Sequence, residues 1–154
     1  MICAIHHVAI ICSNYAHSKH FYTEILGFEI IAETYRAERD SYKLDLKVGK
    51  DGQIELFSFP NPPERPGYPE ARGLRHLAFA VENLAQQIAW LNDCGIETEA
   101  VRTDELTRKR FTFFKDPDGL PLELYEQWAF ELISLIDKQA LPLYWVYWMT
   151  SRSR

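Results

Sequence analysis

Two histidines and two glutamates recur at matching intervals: His7 and Glu55 are 48 residues apart, and His76 and Glu123 are 47 apart. Each histidine opens an apolar run, His7-Val-Ala-Ile-Ile-Cys and His76-Leu-Ala-Phe-Ala-Val. Each glutamate sits inside one, Gln53-Ile-Glu-Leu-Phe and Pro121-Leu-Glu-Leu-Tyr. A carboxylate within an apolar strand is costly unless something pairs with it. A divalent cation shared by two such carboxylates and two neutral imidazoles removes that cost. The nitrogen–oxygen donor set suits zinc, nickel, cobalt, manganese or ferrous iron and does not choose sharply among them. One ion held this way, with one or two open positions, is a Lewis acid able to polarise a carbonyl or enediolate oxygen. Glu55 or Glu123 could then leave it to act as general base, and the other carboxylate return the proton. A lone histidine at a strand start is more often simply hydrogen-bonded, and a strand glutamate more often faces water. The repetition of the pair outweighs that ordinary reading.

These four side chains need a scaffold that brings distant strands together. After each histidine strand come turn and helix signals, Ser13-Asn14-Tyr15-Ala16 and Glu82-Asn83-Leu84-Ala85, in which Ser13, Asn14 or Asn83 could cap. Phe21, Tyr22, Ile25 and Leu26 fall on one face of the first helix, and Leu84, Ile88 and Leu91 on one face of the second. Gly27 and Gly95 stand where a left-handed C-cap is wanted. Three strand-like runs follow in each half, 28–35, 42–48 and 53–59, then 96–101, 110–114 and 121–125. Asp51-Gly52 and Asp118-Gly119 are turn signals just before each final strand. The order β-α-β-β-β thus occurs twice, in register: His7 maps to His76 at an offset of 69 and Glu55 to Glu123 at 68. The expected class is α+β, two βαβββ modules (about 4–60 and 74–127) joined by a proline-rich loop, 60–73, within one domain over 1–127. A module of about 60 residues buries little surface alone, so pairing is expected.

Strand alternation places His7 with Ala9 and Ile11, and His76 with Ala78 and Ala80, the alanines leaving room for a cavity. His6 should point the opposite way, and His17 and His20 should lie on a solvated helix face. The net charge of -5 over 154 residues gives no support for nucleic-acid binding. No apolar run reaches the roughly 18 residues of a membrane span. The opening Met-Ile-Cys-Ala-Ile lacks a basic region followed by a cleavage signal, so a cytoplasmic location is expected. Cys3, Cys12 and Cys94 form no C-x-x-C pair and are expected as buried free thiols.

Taken together, His7-Val-Ala-Ile, Phe21-Tyr22, Leu26-Gly27-Phe28, Ile54-Glu55-Leu56, His76-Leu-Ala-Phe and Asp116-Pro-Asp-Gly-Leu-Pro-Leu-Glu123-Leu resemble the vicinal oxygen chelate superfamily, and within it the glyoxalase I branch. The resemblance runs from about residue 4 to 127. It implies curved sheets around a metal-lined cleft, with one divalent ion on His7, Glu55, His76 and Glu123. It also implies proton transfer on the hemithioacetal of a 2-oxoaldehyde and a thiol, giving a 2-hydroxyacyl thioester, with Glu55 and Glu123 as the catalytic carboxylates. Glyoxalase I enzymes that use glutathione typically carry an Arg and an Asn where this chain has Ile11 and Phe59. That points to a thiol other than glutathione. Other members are epimerases, thiol transferases and metal-free binding proteins, and these are the competing readings. The family often builds each cleft from modules of two chains, so a homodimer is expected, with pairing within or between chains left open.

The loop 60–73 could shape the mouth of the cleft, and Arg65, Arg72 and Arg110 are candidates to meet an anionic substrate group. Residues 128–154 lie outside the resemblance. They include an apolar run suited to a short helix and the aromatic cluster Leu143-Tyr-Trp-Val-Tyr-Trp-Met, which is expected to pack against a second subunit or, less favourably, to dock on a membrane surface.

Overall fold

The computed structural model describes residues 1–67 and 71–127, so the helix and aromatic cluster expected within 128–154 lie outside the described residues. The first half contains β1 (Val8–Cys12), α1 (Tyr15–His20) running on into a wider π-helical turn (Phe21–Ile25), β2 (Glu29–Arg36), a 3-10 turn (Ala37–Arg39), β3 (Ser41–Val48) and β4 (Gly52–Ser58). The second contains β5 (Leu77–Val81), α2 (Leu84–Asp93), β6 (Arg102–Thr103), β7 (Arg110–Lys115) and β8 (Pro121–Glu126). The expected β-α-β-β-β order therefore occurs twice. The strands form two open four-stranded sheets of equivalent order, β1-β4-β3-β2 and β5-β8-β7-β6. In each, the first and last strands pair in parallel and the remaining neighbours are antiparallel.

Local chemistry explains the elements. Asn14 accepts the His17 N–H and Asn83 the Gln86 N–H, satisfying a free donor at each helix start. Gly27 and Gly95 take positive φ values of 72° and 78° beyond the helices, a conformation that disfavours any side chain. Along β3 and β4, Leu44, Leu46, Ile54 and Leu56 point into the core, while Lys43, Asp45, Lys47, Gln53, Glu55 and Phe57 share the other face. Leu122 and Leu124 do the same on β8.

Two expectations are corrected. Residues 96–101 form no regular strand: the Thr112 hydroxyl takes the Glu99 carbonyl at 2.7 Å, and only the Glu99 N–H bonds the backbone of β7, at Phe113. Pairing with β7 begins only at Arg102–Thr103. Cys3 is exposed and Cys94 half-buried, so only Cys12 is a buried thiol; Cys3 precedes the first strand, and no described residue packs over it.

The buried residues form one cluster drawn from both halves. Phe21 packs on Phe114, Phe28 on Phe79, and the Trp90 indole N–H donates to the Ile25 carbonyl at 2.7 Å. The Asp-Pro-Asp-Gly turn is the polar clasp of this junction. Asp116 accepts the Tyr22 hydroxyl at 2.9 Å and the N–H groups of Asp118 and Leu120. Asp118 accepts the Ser13 N–H and the Ser18 hydroxyl. Burial pushes Asp116 above the usual carboxylate range despite these bonds, and burial beside it pushes the Tyr22 hydroxyl far above the phenol range.

Candidate metal centre

Parallel pairing of first and last strands places the histidine of each module beside its glutamate. In the first sheet Ala9 stands opposite Glu55, and in the second Ala78 stands opposite Glu123. Each alanine lies two residues after the histidine, on the same face, and both alanines are exposed. The registers of the two modules are identical at this point. His7 Nε2 lies 3.6 Å from Glu55 Oε2, and His76 Nε2 lies 3.0 Å from Glu123 Oε2.

Among the described residues no three His, Cys, Asp or Glu side chains stand close enough to share an ion. The chain therefore brings the four candidates together two by two, as separate His–Glu pairs on the open faces of separate sheets. The donor chemistry of each pair fits half of a nitrogen–oxygen metal site. The imidazole nitrogen points at the carboxylate, and the Glu55 carboxylate already receives a cation, the Lys43 ammonium, at 3.0 Å.

The surroundings of the two pairs differ. Glu55 has His7 on one oxygen and Lys43 on the other, with Asp45 also holding Lys43. At the equivalent register position of the second sheet, Glu123 stands opposite Phe113, whose ring meets His76 edge-on at 5.2 Å. Asp45 and its partner Lys43 thus face Glu55 where the second module presents phenylalanines. His6 does not point away from His7 as alternation predicted. It precedes β1, is exposed, and sets its Nδ1 2.9 Å from His7 Nδ1, leaving Nε2 of His7 toward Glu55. His17 and His20 are exposed on α1, as expected.

Two further arginines stand beside the pairs. Arg36, at the end of β2, lays its guanidinium over Phe57 at 4.9 Å and Phe59 at 5.6 Å, and donates to Ser41 Oγ at 2.6 Å. Its Nε is buried with no partner among the described residues, an omission that ordinarily costs about 1–3 kcal/mol. Arg102 lies over Phe111 and Phe113, at 5.1 Å from each ring. Sequence reasoning missed both, together with Lys43. The signal available was the alternation Lys43-Asp45-Lys47 against Leu44-Leu46, which marks a charged face on a strand whose other face is core.

A hollow of about 470 Å³ lies next to His76, and Arg65, Arg72, Arg102 and Phe113 line it. Within it Arg65 also donates to the Leu74 and Arg75 carbonyls, tying the inter-module loop to the approach of β5. Arg110 does not line it. It is bound through two nitrogens to Glu126. No helix among the described residues is long and apolar enough to cross a membrane.

Comparison with known proteins agrees with this architecture. A family model described as the glyoxalase/bleomycin resistance protein/dioxygenase superfamily matches residues 4–124. The Bacillus subtilis (strain 168) protein YwkD is 64% identical over 124 residues, covering 80% of this chain and 97% of its own. The Escherichia coli (strain K12) protein YaeR is 58% identical over 123 residues, covering 80% and 95%. The crystal structure of a glyoxalase family protein from Enterococcus faecalis shares 57% identity with a TM-score of 0.74, covering 80% of this chain and 97% of that one. More distant relatives are the metallothiol transferase FosB of Staphylococcus saprophyticus, at 29% identity over 81% of this chain and 78% of its own, and glyoxylase I 4 of Arabidopsis thaliana, at 25% over 89% and 78%.

Proposed function

The chain belongs to the glyoxalase/bleomycin resistance protein/dioxygenase superfamily, and on that footing we propose that it is a metal-dependent lyase of glyoxalase I type whose site is completed by a second copy of the chain. The observation that carries this reading is the duplicated register, Ala9 opposite Glu55 and Ala78 opposite Glu123, each with a histidine two residues earlier on the same open face. A C2 pairing that lays the first sheet of one copy against the second sheet of the other joins His7 and Glu55 to the partner's His76 and Glu123. It makes two equivalent sites. The exposed apolar residues on the outer strands, among them Ile30, Ile31 and Ile11, agree with surfaces that are covered on association.

The four side chains would hold one divalent ion, zinc, nickel, cobalt, manganese or ferrous iron, which when bound supplies Lewis acidity to a pair of vicinal oxygens. The chain's residues do the rest. A carboxylate, Glu55 or Glu123, takes the proton from C1 of a hemithioacetal and a proton returns to C2, leaving a 2-hydroxyacyl thioester with no net gain or loss of protons. Arg65 and Arg72 line the hollow beside His76, which supports the reading that they meet an anionic group of the substrate. Ile11 and Phe59 provide an apolar surface where glutathione-dependent members carry polar groups, which favours another thiol. Arg110 is committed to Glu126 and is not assigned substrate contact.

The test is elemental analysis of the purified protein, followed by turnover assays of 2-oxoaldehyde–thiol adducts with several thiols. Stoichiometric metal and thioester formation, both lost or nearly so in Glu55→Gln and Glu123→Gln, are expected. Bound metal without turnover of any adduct would replace the lyase reading with an epimerase, a thiol transferase or a ligand-binding protein of the same family.

A further inference from the structure

We propose that Arg36 and Lys43 form a receptor for a compact oxyanionic group of the substrate, a phosphate or a carboxylate, on the open face of the first sheet. The two cations are brought to one place by register. Arg36 pairs with Ser41 across β2 and β3, and Lys43 pairs with Phe57 across β3 and β4, so both ride on the face that carries Glu55. Both address the same ring: the Arg36 guanidinium carbon is 4.9 Å from the centre of Phe57 and the Lys43 ammonium is 6.0 Å from it. Lys43 is spoken for by Asp45 and Glu55. Arg36 is not: among the described residues it has no carboxylate within ion-pair distance and no acceptor for its Nε. The guanidinium lies over Phe57 and Phe59, gives one N–H to Ser41 Oγ and has no acceptor for Nε among the described residues, which leaves donors for an oxyanion, the partner a guanidinium recognises through its fork.

Position then gives substrate class. Phe57 follows Glu55 by two residues on the same strand face, roughly 7 Å along it. Ile11, opposite Phe57, and the stacked ring of Phe59 make the ground between them apolar. A molecule that fits has vicinal oxygens at one end, a short apolar stretch, and a phosphate or carboxylate at the other. This deepens the metal-site reading and rests on it only for the end near Glu55.

The experiment follows the arginine Nε–Hε resonances of the as-purified full-length protein by NMR while inorganic phosphate, acetate or chloride is added at constant ionic strength. The Arg36 signal is assigned by its loss in Arg36→Lys. Saturable movement of that signal with phosphate or acetate, none with chloride, and about ten-fold weaker binding in Lys43→Met are expected. Arg110→Met should leave it unchanged. The tighter of the two anions identifies the group. The titration is repeated in His7→Ala, whose metal pair is broken, so that failure of the metal reading leaves this result intact. Absence of saturable movement, or binding indifferent to Lys43→Met, overturns the proposal.

Discussion

His6 and His7 meet nitrogen to nitrogen, Nδ1 to Nδ1 at 2.9 Å, and this contact turns the other nitrogen of His7 toward Glu55. A hydrogen bond on the remote ring nitrogen sets the tautomer of a metal-binding imidazole, and losing such a partner typically costs about 10- to 100-fold in metal affinity. His6→Ala should therefore weaken divalent-ion binding by about ten-fold while leaving the thermal unfolding midpoint unchanged. Competition against a chromophoric chelator measures the first quantity. Unaltered affinity would reduce His6 to an exposed neighbour.

Lys43 occupies at Glu55 the place of a positive charge, so it opposes a second one. Lys43→Met should tighten divalent-ion binding roughly three- to ten-fold, the range expected for removing one screened like charge at partial exposure. The same chelator competition reads it, and an affinity that falls would mean that Lys43 orders the carboxylate more than it competes for it.

The proposal that a second copy completes each site predicts a distinctive behaviour of mixtures. His7→Ala and His76→Ala should each be nearly inactive alone. Co-refolded in equal amounts, half the dimers are mixed, and each mixed dimer holds one site with all four residues and one with both losses, so about a quarter of the wild-type activity returns. No recovery on mixing would place all four ligands in one chain.

Asp116 makes stability depend on pH in an unusual direction for a carboxylate. Burial raises its folded-state pKa, against the bonds it accepts from Leu120, Tyr22 and Asp118. A raised value means its contribution is present in full below the ordinary carboxylate range and is lost as pH rises through the folded value. Relative to Asp116→Asn, which cannot titrate, the wild type should lose stability over the interval that begins at the ordinary Asp value of about 4 and runs upward in pH. Urea midpoints across that interval test it, and parallel profiles for the two proteins would refute it. Asp116→Ala, which strands the Tyr22 hydroxyl and two backbone donors, should cost about 2–4 kcal/mol at the acid end of that interval and less as pH rises.

Cys12 is buried, and that burial pushes its thiol up to about 11. Since the thiolate is the reactive form, a disulfide reagent at pH 8 should label Cys3 readily and leave Cys12 untouched until the protein is denatured. Peptide mapping by mass spectrometry distinguishes them.

The alternation of Ile54, Leu56, Leu122 and Leu124 with Glu55 and Glu123 was enough to tell which face of the two glutamate strands carries the site. The duplicated spacing was enough to pick out four residues. What could not be read was where the two pairs lie relative to one another. That depends on Phe21 seating against Phe114 and Tyr22 against Asp116, contacts between residues more than ninety apart that leave no periodic trace. Alternation also misled at His6, where the ladder had not yet begun, and over 96–101, where the hydroxyl of Thr112 takes the place of a ladder bond. Arg36 was overlooked because it closes β2 beside a turn, where a charged residue is unremarkable. Its distinguishing property, an unsatisfied nitrogen over two rings, exists only after folding.

The parallel union of opening and closing strands also governs when a site can exist at all. As a ribosome releases the chain, His7 emerges long before Glu55, and β1 waits for the whole of its module to be made before it gains its hydrogen-bonded neighbour β4. Such long-range closure is slow, since the entropy of the intervening loop is lost before any contact is gained. Neither His–Glu pair can therefore form before its own module has been made, and the contact becomes a mark that synthesis and folding of that half are finished.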